Sequence, residues 1–170
     1  MKGKKLVILG EHHLCDECVN AEISKIKEIE DKIDLVGLEI VDVKKKNTKL
    51  CSKFNQIPLE KFIEDVVENN FPLCSKSEMY ETLKKHEPLL KYLQTSNKKI
   101  YPLGNPFARN HAASLVKSID SCLDTCQRGT IAIIGFGDII EYYTQFVKKY
   151  RCTINNVHQI HQISHEKLYY

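Results

Sequence analysis

Gly10-Glu11-His12-His13 follows directly on the apolar run Leu6-Val7-Ile8-Leu9. A histidine just past a strand can act as a general base or a metal ligand, and a carboxylate two residues away can orient or polarise it. Spacing alone leaves His12 as a rival to His13 for that role. Glu39 lies among Leu38, Ile40 and Val41, where a carboxylate is expensive to bury unless it meets a cation, a donor or a metal. The bland alternatives are a charged surface turn for Glu11 and His13, and a strand end already reaching solvent for Glu39. Arg109 precedes a helix, where a guanidinium is unfavourable beside the macrodipole unless it faces an anion; a plain surface arginine is the competing reading.

Cys15-Asp16-Glu17-Cys18 could be a redox couple at a helix start, or could join His12 or His13 around zinc. A zinc site wants a second pair at similar spacing, and Cys122 with Cys126 reads as core instead. The seven cysteines are odd in number and irregularly spaced, which argues against a disulfide framework and for a reducing compartment.

The elements that must position these groups follow from periodicity. Leu6–Leu9, Leu35–Val41, Lys99–Leu103 and Thr130–Ile134 read as strands, and Cys152–Val157 as a fifth. Helical spacing over Val19–Ile33, Ala112–Cys126 and Ile139–Tyr150 separates them, and residues 43–97 form a helical insertion between strands two and three. Ser77 is expected to cap one helix of that insertion and Pro88 to begin another. Pro102 suggests a short or edge strand. This alternation is the grammar of a mainly parallel sheet of five strands flanked by helices, in one domain over residues 1–170. Ligands of open parallel sheets bind beyond the carboxyl ends of the strands. Glu11 and His13, Glu39, Asn105 and Asp138 follow four successive strands, so one sheet edge collects them.

Composition narrows the classes. Apolar residues make up 42% and charged residues 28%, as in ordinary globular domains. The net charge of +3 is spread out, and the run Lys44-Lys45-Lys46 reads as a solvated loop, so no nucleic-acid partner is expected. No apolar run reaches membrane-spanning length and the first residues lack a signal-peptide core. A cytoplasmic location is expected, or a host cytoplasm for a secreted effector.

Four islands carry a family resemblance. Val7-Ile8-Leu9-Gly10-Glu11-His12-His13 is similar to the Gly-Glu-x-His signature of the erythromycin esterase, ChaN, TraB and Tiki superfamily. Leu35–Glu39 resembles its glutamate-ended second strand, and Arg109-Asn110 its Arg-Asn helix start. Ile131–Asp138 resembles its second Gly-x-x-His strand end, with Asp138 in place of the histidine. Aspartate can ligate a hard metal but cannot act as an imidazole base. What the resemblance implies is a hydrolase, in a superfamily that mixes metal-dependent proteases, metal-free esterases and haem binders.

The resulting expectation is a small hydrolase, esterase- or metalloprotease-like, acting on a small molecule or peptide. His13 activates water, Glu11 orients it, and Arg109 steadies an oxyanion. His13, Glu39 and Asp138 are the candidate ligands for a divalent ion (manganese, zinc or magnesium). Two rivals stand beside it: a non-catalytic ligand-binding or effector module, favoured by Asp138, and a thiol redox protein using Cys15 and Cys18.

Overall fold

Continuous apolar runs become the sheet. A computed structural model describes residues 5–11, 16–70, 75–105, 108–135 and 153–156. Its strands are β1 (Lys5–Glu11), β2 (Leu35–Asp42), β3 (Lys99–Gly104), β4 (Gly129–Gly135) and β5 (Thr153–Asn156). They lie in the order β3-β2-β4-β1-β5, and every ladder is parallel. Helix α1 (Asp16–Glu28) joins β1 to β2. Helices α2 (Lys45–Ser52), α3 (Leu59–Asn69), α4 (Lys76–Lys85) and α5 (Glu87–Thr95) lie between β2 and β3, and α6 (His111–Thr125) between β3 and β4. The α/β architecture and the helical insertion are therefore as the periodicity predicts. The helix expected over Ile139–Tyr150 lies outside the described residues.

Each face of the sheet has its own core. Val7, Leu9, Val36, Leu38, Ile131 and Ile133 pack under α1 and the insertion helices, with Ile26, Phe62, Leu83, Leu89 and Leu93. Leu6, Ile8, Leu35, Ala132 and Ile134 pack under α6, with Leu115, Ile119 and Cys122. The step from β1 to β2 and that from β2 to β3 run the same way across the sheet, whereas β3 to β4 turns back. Crossovers of a single hand then put α1 through α5 on one face and α6 on the other. The insertion is thus a wall of the core, not a separate cover. No helix among the described residues is long and apolar enough to cross a membrane.

Local signals explain most boundaries. Pro102 sits in β3, an edge strand, where its missing N–H is tolerated. Pro88 occupies the first turn of α5, as expected. The cap of α4 is Ser75, not Ser77: its hydroxyl accepts from the Glu78 N–H while the Glu78 carboxylate accepts from the Ser75 N–H. Glutamate three residues after Ser75 completes that reciprocal box, which Ser77 lacks. Lys45 and Lys46 open α2 instead of forming a loop; they stay exposed while Asn47 and Cys51 turn inward. Asn97, at φ 52°, ends α5, with its N–H donating to Gln94 and that of Lys98 to Leu93.

At the amino edge Asp34 fixes the register of β2 against β4. Its carboxylate accepts the N–H groups of Gln127 (3.0 Å), Arg128 (2.8 Å) and Gly129 (3.2 Å). Partial burial opposes the charge, but those donors and the Arg128 guanidinium outweigh it and hold the Asp34 pKa below its ordinary value. A carboxyl lowered in the folded state adds stability above its unfolded pKa, ~3.9, and loses it as pH falls through the folded value. Asp34→Ala is expected to cost about 1–2 kcal/mol near neutrality, the low end for charged hydrogen bonds because water reaches the site. Urea unfolding of both proteins across pH should show a constant gap above about pH 5 that closes in acid. A gap that widened in acid would overturn this role.

Candidate functional site

Among the described residues, two acid–imidazole pairs occupy the carboxyl edge of the sheet, one on each face. On the α6 face stands Glu39, near the end of β2. Its Oε2 accepts the Gly135 N–H at 2.6 Å, and its Oε1 lies 3.2 Å from Nε2 of His111. These are the donors that a carboxylate among Leu38, Ile40 and Val41 requires. His111 is the first residue of α6, whose cap is Asn110 accepting from the Ala113 N–H at 2.9 Å. Nδ1 of His111 is 3.4 Å from the Asn105 carbonyl, a long contact. The His111 side chain is 25% exposed against 9% for Glu39, so a ligand can reach the imidazole while its carboxylate stays sheltered. Connections leave β2 toward one face and β3 toward the other, the topological condition for a crevice at this edge.

On the opposite face Glu11 closes β1 and turns under the insertion helices. Its Oε2 lies 2.8 Å from Nε2 of His86, and Nδ1 of His86 is 2.8 Å from the Thr82 carbonyl. Glu22 of α1 joins them, and one ligand atom from each of the three lies within 4.8 Å of the others. All three are sealed from water: Glu11 and His86 are 1% exposed and Glu22 0%. Glu11 pairs in register with Gly135, the residue whose N–H binds Glu39. The end of β4 therefore stands between the two pairs.

Of the expected site residues, the structure describes Glu11, Glu39 and Arg109. Glu11 and Glu39 reach the same edge but opposite faces of the sheet. His13 and Asp138, like Cys15, lie outside the described residues. Arg109 is exposed immediately before the α6 cap, and its neighbour His111 is what meets Glu39. Cys18 is fully buried in the core beside Val19 and Ile26, so its thiol is shielded from exchange partners in solution. Burial likewise pushes the thiols of Cys51 and Cys122 up to about 12.

Glu22 and His86 escaped the reading of strand ends because both sit on helices. Their signal is a titratable residue on an apolar stripe: Cys18, Glu22 and Ile26 recur at four-residue steps, and His86 stands three residues from Leu83 and from Leu89. A charge or imidazole at such a position must be buried with partners.

No protein-family model and no curated protein matches the chain. A solved structure of the type III effector HopBA1 is similar in fold, with a TM-score of 0.53 at 11% identity. The likeness covers 77% of this chain and 66% of that one, so the chain spans just under two-thirds of its neighbour's length. At that identity the correspondence is one of architecture.

Proposed function

We propose that the chain is an effector-type module that binds a small molecule or peptide at the carboxyl edge of its sheet, through Glu39 and His111. The observation that carries this reading is the half-open Glu39–His111 pair, a sheltered carboxylate orienting an accessible imidazole. The fold likeness to a type III effector supports the effector side of it, and with it action in a host cytoplasm. Arg109, exposed two residues before His111, suits the recognition of an anionic group on the ligand.

Hydrolysis is the second reading, favoured by the geometry of the pair. A carboxylate that accepts the Nε2–H bond orients the ring, and in that tautomer Nδ1, whose contact with the Asn105 carbonyl is long, is the nitrogen left to act as a general base. The resemblance of the Gly10–His13 and Leu35–Glu39 segments to the erythromycin esterase and Tiki superfamily supports the same chemistry.

Thermal-shift screening of metabolites and short peptides, followed by calorimetry on the hits, tests both readings. Glu39→Gln and His111→Ala are each expected to weaken a hit by roughly tenfold or more, the loss of a charge-assisted contact, with circular dichroism unchanged. If hits are turned over, His111→Ala should lower the rate by about 10²-fold or more. Unaltered binding and turnover in both variants would remove this site from consideration.

A further inference from the structure

Facing the insertion helices, the second pair differs from the first in being closed to water and in standing beside a second carboxylate, that of Glu22. Thr82 offers His86 only a carbonyl oxygen, which accepts, so Nδ1 carries a proton and donates it. Nε2 then faces a Glu11 oxygen at 2.8 Å. Two lone pairs cannot meet at that distance without something positive between them, either a proton or a metal ion. An imidazole whose Nδ1–H is held by a backbone carbonyl is the arrangement that fixes Nε2 for metal ligation. A divalent ion placed there would reach the imidazole and the carboxylates of both Glu11 and Glu22.

We propose that Glu11, Glu22 and His86 form a buried site for one divalent cation, zinc or manganese by the mix of two carboxylates and one imidazole. Their ligand atoms lie within 4.8 Å of one another, a spread that rotation about a carboxylate's soft terminal torsion closes. Such an ion ties the end of β1 and the α1 helix that follows it to the corner between α4 and α5, which is distant in the chain. The site is independent of the ligand edge proposed for Glu39 and His111, and either can fail alone.

The test uses the full chain, stripped with a chelator and dialysed, then titrated with Zn²⁺ and Mn²⁺ by calorimetry and loaded with Co²⁺ for absorption spectroscopy. One cation per chain is expected, with a nitrogen–oxygen cobalt spectrum free of thiolate charge transfer, and a higher melting temperature in the loaded protein. Glu22→Gln should weaken binding by at least about tenfold while the far-ultraviolet spectrum is kept, and His111→Ala should bind the metal as wild type does. No uptake by folded wild type, a thiolate-dominated cobalt spectrum, or equal affinity in Glu22→Gln would overturn the site. Should Glu22→Gln fail to fold, the wild-type cobalt spectrum decides alone by the same two outcomes.

Discussion

His86→Ala is expected to destabilise the domain by about 3–5 kcal/mol, the size of a large buried side chain removed together with a buried polar partner. The ring is 1% exposed and links three places: the Thr82 carbonyl, the Glu11 carboxylate at the end of β1, and the junction at which α4 ends and α5 begins. Its loss takes away an imidazole bond to Glu11 without removing Glu11, and opens a cavity where a fully buried ring stood. Glu11→Gln keeps the shape and one acceptor, so a smaller loss is expected there. Urea unfolding of both variants at fixed metal content makes the comparison. A loss under about 1 kcal/mol for His86→Ala is the size of a surface change, and would show that the pair contributes little to holding the corner.

The strands were legible because a parallel strand covered on both faces has to be apolar along its length, as Leu6–Leu9 and Thr130–Ile134 are. Glu39 was legible for the converse reason, a charge where no charge is cheap. That same continuity hides which face a strand residue takes: without polar alternation, nothing marks Glu11 for the insertion side and Glu39 for the α6 side. The partners were hidden by distance. His111 lies 72 residues from Glu39, and His86 lies 75 from Glu11. Only the direction of each crossover brings them together. The buried asparagines were hidden likewise: Asn70 binds the Ile40 carbonyl, the Asp42 N–H and Asn47, supplying partners to backbone that an irregular β2 leaves without sheet bonds.

That irregularity makes Gly104 the other position of large expected effect. β2 and β3 keep step from Leu35 opposite Lys99 to Leu38 opposite Pro102, after which Asp42 pairs with Gly104. Four residues of β2 thus span what two residues of β3 span, a bulge that begins at Glu39. A Cβ on Gly104 would strike the Glu39 carbonyl oxygen and come within 3.2 Å of that of Val41. Both obstacles are backbone and cannot rotate away. Gly104→Ala should therefore cost about 1–3 kcal/mol or somewhat more, as overpacking does, and displace the bulge. Glu39 moves with it, and the bonds to Gly135 and His111 that aim its carboxylate are lost or lengthened. At Gly37 the nearest obstacle is the Leu103 side chain at 2.7 Å, which can adjust, so Gly37→Ala should leave the Glu39–His111 pair in place even where it costs stability. Chemical denaturation gives the energies, and the His111 ring resonances report the pair. Gly104→Ala with wild-type stability and unshifted His111 signals would mean that the close approach of β3 does not set the aim of Glu39.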